Sequence, residues 1–152
     1  MRKTFLILIL FIKSNLISGQ IPTIGPMLHL NFSADKPKIT FGIEVALYFD
    51  YIPIPYLQSV DLGFEVGKGI NIIYSEIQIT KAAKNFDNFT GISAGIFRKK
   101  ESDSLRVIGF QSTLWTAYIA GADIRFRLSE HYKDFGIGLF GKMPIFFGKI
   151  GT

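Results

Sequence analysis

The segment Lys38 to Asp50, KITFGIEVALYFD, limits the possible folds of this chain more than any other stretch of the sequence. Every second residue from Ile39 to Phe49 is apolar, whereas the intervening positions include Glu44. Side chains of a β-strand point alternately to its two faces, so the segment predicts a strand with one wholly apolar face. Such a strand exceeds the average of about 5 to 6 residues and matches the roughly 9 to 11 that a tilted strand needs to cross a bilayer.

Seven further segments alternate in the same way or have the composition of strands, and turn residues separate them. They are residues 27–33, 59–67, 70–79, 89–97, 105–111, 114–128 and 135–147. The long stretch 105–128 is divided near Gln111 and Ser112. After residue 19 the sequence shows no convincing amphipathic helix. It therefore predicts an all-β fold, an antiparallel up-and-down β-barrel of about eight strands.

Three stretches are expected to lie outside these strands. Two prolines and a glycine make residues 21–26, IPTIGP, irregular. Residues 51–59, YIPIPYLQS, are expected to form a loop, because Pro53 and Pro55 exclude a central ladder position. The charge run 98–104, RKKESDS, is expected to be a solvated hairpin loop. Pro144 is expected to end or bulge the last strand.

The first 19 residues have the features of a secretory signal peptide. Arg2 and Lys3 precede an apolar run from Phe5 to Ile12, polar residues follow, and cleavage is expected after Gly19. The apolar run is far shorter than the ~20 residues of a membrane-spanning helix. The sequence therefore predicts a signal peptide over residues 1–19 and a single β-barrel domain over residues 20–152.

Composition excludes several classes of function. The chain has no cysteine, which excludes disulfides, thiolate metal sites and a lipid-modified N-terminal cysteine. Three of its 17 basic residues lie in the expected signal peptide, so the barrel domain is close to neutral. A nucleic-acid-binding domain would need a basic stripe. No nucleic-acid partner is therefore expected.

Alternation alone does not show whether the apolar faces point to a core or to lipid. The opposite faces favour lipid, because they combine small residues with single charges, such as Gly42 beside Glu44 and Gly63 beside Glu65. Glycine weakens a water-exposed strand, whereas the narrow interior of an eight-stranded barrel requires small or paired side chains. The side chains expected to face lipid are Ile39, Phe41, Ile43, Val45, Leu47, Phe49, Val60, Leu62, Phe64 and Val66.

Aromatic residues cluster at one end of the long strand, where the interfacial girdle of a membrane barrel would lie. They are Tyr48, Phe49, Tyr51 and Tyr56. No charged residue occupies an outward position of the two clearest strands, where it would cost about 2 to 4 kcal/mol at the bilayer midplane. These positions are therefore compatible with hydrocarbon.

With its signal peptide, its lack of cysteine and segments such as ITFGIEVALYF and VDLGFEV, the chain resembles the small outer-membrane β-barrel proteins of Gram-negative bacteria. The resemblance is one of pattern and covers most of the barrel domain. It implies an outer-membrane location, with membrane lipid and other envelope proteins as partners.

Charged residues on the inward faces predict an ion-pair network inside the barrel. The candidate residues are Glu44, Asp61, Glu65, Glu76, Arg106, Asp123, Arg125 and Arg127. Buried charges are tolerated when they lie opposite partners. Paired charges would close the barrel, whereas charges along a wet channel would let small solutes pass. Eight strands usually leave room only for side chains, so a closed interior is expected.

The sequence offers little support for catalysis or metal binding. His29, on an inward face, and His131, in a polar turn, form a poor metal set without cysteine, although carboxylates could complete one. Ser129 and His131 share a turn but lack an oriented third member and nucleophile-elbow glycines. We therefore expect a protein that is not an enzyme and that has no metal and no cofactor.

Two functions follow from these observations, and an enzyme that acts on lipid ranks third. The first is a non-enzymatic outer-membrane β-barrel with a side-chain-filled lumen and a structural or accessory role in the cell envelope. The alternative is a soluble secreted or periplasmic β-barrel that binds an apolar small ligand. They differ in the direction of the apolar faces, outward to lipid in the first and inward to a ligand or core in the second.

Overall fold

The computed structural model of the chain is a closed antiparallel β-barrel. It describes residues 21–33, 36–49, 56–82, 88–101, 106–118, 120–130 and 132–144. The strands are β1 (Ile21–Ser33), β2 (Lys38–Phe49), β3 (Tyr56–Gly67), β4 (Ile70–Ala82), β5 (Phe89–Glu101), β6 (Arg106–Ala117), β7 (Ala120–Ser129), β8 (Tyr132–Gly141) and β9 (Met143–Pro144). From β1 to β8 each strand pairs with the next, and β8 pairs back with β1, so the sheet closes on itself. The short strand β9 also pairs with β1. The predicted fold class is confirmed.

The short strand β9 continues β8 along the same wall of the barrel. β8 pairs with β1 as far as Phe140, and β9 resumes that pairing in the same register after a gap at Gly141 and Lys142. Pro26, which has no backbone N–H to donate, lies in β1 beside this gap. The interruption therefore precedes Pro144, where the sequence predicted a strand end or bulge.

Side chains alternate between a polar interior and an apolar exterior. In β7, Arg125 and Arg127 are buried, whereas Ile124, Phe126 and Leu128 are exposed. This is the reverse of a soluble barrel, in which apolar side chains fill the core and polar ones meet water. None of the ten side chains expected to face lipid is buried, and all ten lie on the outward sides of β2 and β3.

Several predicted boundaries are wrong. Residues 21–26 form the first part of β1 and are not irregular. β6 runs through Gln111 and Ser112 without a break, and the turn to β7 comes at Tyr118. Both polar side chains fit the continuous strand: Gln111 is buried inside the barrel, and Ser112 Oγ donates to the Ser93 carbonyl oxygen at 3.0 Å.

Other strands extend into segments expected to be loops. Residues 56–59 belong to β3, and residues 98–101 of the charge run belong to β5. Residues 1–19, the expected signal peptide, lie outside the described residues, as does Tyr51. Of the expected aromatic girdle, Tyr48 instead points inward, where its hydroxyl accepts from Gln78 Nε2 at 3.2 Å. Within the described ranges, no helix is long and apolar enough to cross a bilayer.

The barrel has two distinct ends. At the turn end, short connections join β1 to β2, β3 to β4, β5 to β6 and β7 to β8. The connection from β3 to β4 has only two residues, Lys68 and Gly69, and Gly69 has φ 71°, a conformation that other residues rarely adopt. At the terminal end, β1 begins and β9 ends, and the longest connections run from Phe49 to Tyr56 and from Ala82 to Phe89.

Candidate functional site

Glu65 on β3 is the centre of an ion-pair network in the lumen. Its side chain is fully buried, and its Oε1 accepts from Arg125 Nη1 at 2.8 Å and from Arg127 Nη2. Its Oε2 accepts from Thr40 Oγ1 at 2.7 Å. Because β3 and β7 lie on opposite sides of the ring of strands, two guanidinium groups of β7 meet this carboxylate across the lumen.

Arg125 connects Glu65 to a buried histidine. Its Nη2 donates to Asp123 Oδ2 at 3.1 Å, and its guanidinium carbon lies 4.7 Å from the centroid of the Tyr74 ring. The same Asp123 oxygen lies 2.9 Å from His29 Nε2, and His29 Nδ1 is 3.6 Å from Glu65 Oε2. The imidazole on the inward face of β1 is thus enclosed by the network.

Arg127 extends the network toward the turn end. Its side chain donates to Gln111 Oε1 and, at 3.1 Å, to Asn31 Oδ1. Its Nη1 also lies 3.6 Å from Asp134 Oδ2. Each of these partners comes from a different strand, so one guanidinium group ties β1, β6 and β8 to β7.

Lys142 extends the network toward the terminal end, a role that the sequence analysis missed. Its Nζ lies 2.9 Å from Glu44 Oε1 and 3.1 Å from Asp61 Oδ2. It also lies 5.1 Å from the centroid of the Trp115 ring. Strand alternation could have predicted this role, because Lys142 lies two residues after Phe140 and therefore on the same, inward face.

The surroundings of two candidate carboxylates differ. Glu44 accepts from the Tyr74 hydroxyl and lies 3.8 Å from Arg125 Nη2. Glu76 was expected to face arginines, but no cation of the described residues lies within ion-pair distance of it. Glu76 is instead held by neutral donors of β5 and β6, namely Ser93 Oγ at 2.9 Å, Gln111 Nε2 at 2.9 Å and Thr113 Oγ1 at 2.8 Å.

Arg106 is not part of the lumen network, so this prediction is wrong. Its side chain is exposed on the outward side of β6, in line with Ile108 and Phe110. The prediction failed because it divided β6 near Gln111. In a continuous strand Arg106 and the inward-facing Trp115 are an odd number of residues apart, so their side chains point to opposite faces. The other seven candidates are all buried in the lumen: Glu44, Asp61, Glu65, Glu76, Asp123, Arg125 and Arg127.

A second group of charges closes the turn end. Glu101 pairs with Lys38 and, at 3.3 Å, with Lys99 Nζ. Lys99 Nζ lies 3.8 Å from the centroid of the Tyr132 ring, whose hydroxyl donates to Asp134 Oδ2 at 2.7 Å. Apolar side chains beneath this layer, Ile70, Ile72 and Phe97, are also buried.

Side chains from opposite walls meet in the lumen between its two ends. A cavity of about 10 Å³ lies among Glu76, Arg125 and Lys142, at the lower limit of the space that one water molecule needs. Near the terminal end, the Trp115 and Phe140 rings pack edge to face with centroids 5.8 Å apart. The arrangement can brace the wall of the barrel and exclude solutes from its interior.

The residues considered for catalysis do not form a site in the described part of the chain. Ser129 is half-buried at the turn end, and His131 lies outside the described residues. The ring of His29 is buried against Asp123, out of reach of a substrate at the surface. No group of three or more histidine and carboxylate side chains among the described residues is arranged to hold a metal ion.

Comparison with known proteins shows a shared fold. Neisserial surface protein A is 12% identical over 83% of this chain and 98% of that chain, with a TM-score of 0.55. The N-terminal β-barrel domain of Pseudomonas aeruginosa OprF is 12% identical over 80% and 97%, with a TM-score of 0.53. The outer membrane enzyme PagL is 13% identical over 81% and 99%, with a TM-score of 0.56.

No protein-family model and no curated protein sequence matches the chain. The three structural likenesses confirm the resemblance to small outer-membrane β-barrels at the level of the fold. Because one of the three is an enzyme, the fold by itself does not separate enzymatic from non-enzymatic barrels.

Proposed function

We propose that this chain is an integral outer-membrane β-barrel with a closed lumen, which acts as a structural or accessory component of the cell envelope and not as an enzyme. The observation that carries the proposal is the inverted distribution of side chains, with charges inside and apolar side chains outside.

The apolar exterior supports a bilayer location. Phe41 is 61% exposed, Ile77 68% and Leu139 62%, and similar side chains cover the outer wall on all eight long strands. Soluble monomers rarely expose contiguous apolar patches larger than a few hundred Å². Hydrocarbon would cover this surface, and in a bilayer a barrel satisfies its backbone hydrogen bonds because it has no open edge.

The filled lumen supports a structural role over transport. Arg125, Arg127 and Lys142 reach across it to carboxylates, and a cavity of about 10 Å³ lies beside Arg125 and Lys142. Passage of even a small sugar would require these buried ion pairs to separate. Breaking such pairs in a protein interior costs several kcal/mol each.

The short connections also support a role within the membrane. Barrels that recognise partners outside the membrane commonly use long loops, and eight-stranded barrels of this kind often have them on one side. Here the strands are joined by brief segments at both ends, the longest of which run from Phe49 to Tyr56 and from Ala82 to Phe89. Such a chain presents mainly its wall and two narrow rims to other molecules.

The lumen gives no support to the alternative function, a soluble barrel with an apolar ligand inside. A ligand-binding barrel of that kind needs an apolar cavity, and ligand pockets commonly measure about 300–1,000 Å³. The middle of this lumen contains Glu65, Asp123 and two arginines, and the cavity beside Asp123 and Arg125 measures only about 10 Å³.

Cell fractionation tests the proposal. The full-length chain, produced in a Gram-negative host, should sediment with outer membranes and stay with them through alkaline carbonate and high-salt washes. Unheated samples should migrate differently from boiled samples in detergent gels, because a folded barrel resists the detergent. Release into the soluble fraction by carbonate would contradict the proposal.

A further inference from the structure

We propose that Arg98, Lys100 and Arg106 form a surface that binds the phosphate groups of anionic lipid headgroups at the turn end of the barrel. This surface, the basic rim, lies on the outer wall and is separate from the lumen network. The inference rests on the proposed membrane location and adds the class of lipid that the barrel prefers.

The register of the sheet brings the three cations together. Lys100 on β5 lies directly opposite Arg106 on β6, and on its other side it lies opposite Asn71 on β4. Arg98 is two residues from Lys100 on the same side of β5 and lies between Ile73 and Ile108. All three basic side chains are exposed and point outward.

The basic rim has no anionic partner in the described part of the chain. No described carboxylate forms an ion pair with Arg98, Lys100 or Arg106, and Asp103 lies outside the described residues. Like charges directly opposite each other destabilise an antiparallel pair of strands. A bound anion between Lys100 and Arg106 would remove this repulsion.

The position of the basic rim matches the level of the headgroups. Arg106 is followed on the same outward side by Ile108 and Phe110, which are 69% and 75% exposed. Charges on the lipid-facing wall are costly at the bilayer midplane and nearly neutral at the interface. Arg and Lys side chains can also extend their charged ends from apolar surface toward phosphates. The cations therefore belong where hydrocarbon gives way to headgroups.

A groove beside Lys100 gives the headgroup a place to bind. Its volume is about 240 Å³, and it lies against the turn between β3 and β4. It is lined by Gly67, Gly69, Ile70, Asn71, Lys100 and Glu101. The Glu101 carboxylate would repel a phosphate, but it is already paired with Lys38 and Lys99. Lys100 therefore supplies the groove with a positive charge that is unpaired among the described residues, and Asn71 supplies a neutral polar side chain.

The opposite end of the wall has a different character. Exposed outward side chains near the terminal end include Tyr56, Thr90, Thr116 and Tyr118, with Lys81 as a basic residue among them. Neutral aromatic side chains suit a membrane interface without demanding anionic lipid. The clustering of cations on β5 and β6 is thus specific to the turn end of the described wall.

Native mass spectrometry of the full-length chain, released from detergent micelles with equal amounts of phosphatidylglycerol and phosphatidylcholine, tests the basic rim. The test variant is R98Q/K100Q/R106Q. The matched control, K36Q/K81Q/K133Q, removes the same charge from exposed positions outside the rim. Each membrane-surface cation contributes roughly fivefold to the binding of anionic lipid. The test variant should therefore bind phosphatidylglycerol on the order of tenfold or more weakly, with phosphatidylcholine unchanged.

Two results would overturn the inference. One is an equal loss of phosphatidylglycerol in the test and control variants, which would assign the preference to net charge. The other is complete displacement of phosphatidylglycerol by inorganic phosphate, which would make the rim a site for soluble anions. The heat-dependent gel shift is measured on the same samples. If the wild-type chain shows no shift, it does not form a barrel, and the proposed function is contradicted. If the shift is present and only the lipid preference is lost, the basic rim alone is contradicted.

Discussion

Arg125 Nη1 lies 2.8 Å from Glu65 Oε1 across the lumen, although 60 positions separate the two residues in the sequence. The contact joins opposite walls of the barrel, and both side chains are almost completely buried. A hydrophobic core holds most soluble domains together. In the middle of this barrel the corresponding contacts are ion pairs and hydrogen bonds, because most apolar side chains are directed outward.

Replacement of Arg125 should destabilise the barrel strongly. Arg125→Met would leave Glu65 and Asp123 with fewer cationic partners in a buried site, and loss of one member of a buried ion pair costs about 3–5 kcal/mol. The measurement is the free energy of unfolding by urea in detergent micelles or vesicles. Lys133→Met, at an exposed outward position, is the control and should change stability little. Equal stability of the two variants would show that the network does not brace the barrel.

A charge in the middle of the outer wall should be costly. Ile43, near the centre of β2, is 54% exposed, so Ile43→Arg would place a cation against the hydrocarbon core at a cost of about 2–4 kcal/mol. Ala120→Arg, at the first residue of β7, should cost about 1 kcal/mol or less because it lies near an interface. Unfolding in phospholipid vesicles measures both values. If Ile43→Arg were as stable as Ala120→Arg, position 43 would not contact hydrocarbon.

Gly63 makes room for an aromatic ring in the lumen. A Cβ at this position would come within 2.0 Å of Tyr74 Cζ, so Gly63→Ala should displace the ring from Glu44 and Arg125. Overpacking of this kind costs about 1–3 kcal/mol. Gly141→Ala is the matched control, since a Cβ at this position would meet Pro26 Cδ at 3.6 Å, an ordinary contact. Equal unfolding free energies for the two variants would contradict the tight packing of Tyr74.

The closed lumen predicts an impermeable barrel. Vesicles that contain the wild-type chain should not swell in an isotonic solution of a small sugar such as arabinose, because Lys142, Trp115 and Phe140 fill the terminal end. A general porin in the same vesicles is the positive control. Swelling at a rate comparable to the porin would mean that the ion pairs open readily and that the protein conducts solutes.

The sequence was sufficient for the class of fold and for the direction of the apolar faces. The period of two along β2 and β3 directly encodes which side chains share a face, so Phe41 and Glu65 could be assigned to opposite surfaces. Small and charged residues on one face then distinguish a packed lumen from a water-exposed surface. The face on which a side chain lies depends only on its own strand, so the sequence of that strand is enough to predict it.

Strand boundaries were harder to predict because a polar side chain can form its hydrogen bonds either with water in a turn or with partners inside the barrel. Gln111 and Ser112 suggested a break in β6, but one binds Glu76 in the lumen and the other bonds to the backbone of β5. Pro22 and Pro26 suggested an irregular lead, yet both pair with β2, and Pro26 lies where the pairing of β1 with β8 is interrupted. Partners supplied by distant strands decide such cases.

Partner choice inside the lumen also depends on the closed ring. Glu76 and Glu65 have the same charge and the same inward orientation, but only Glu65 lies opposite Arg125 and Arg127. Lys142 contacts Glu44 and Asp61 because the ladder of β8 and β9 keeps its register across the gap. To predict such contacts, one must know the register of all eight strand pairs, and the alternation within a single strand does not give it.

Quenching of tryptophan fluorescence by lipids with brominated acyl chains tests the orientation of the side chains most directly. The chain has a single tryptophan, Trp115, which faces the lumen and is 6% exposed. In vesicles of brominated lipid, the wild-type fluorescence should be quenched weakly, whereas F41W in a W115F background should be quenched strongly. Strong quenching of Trp115 together with weak quenching at position 41 would contradict the account, because the apolar faces would then point inward.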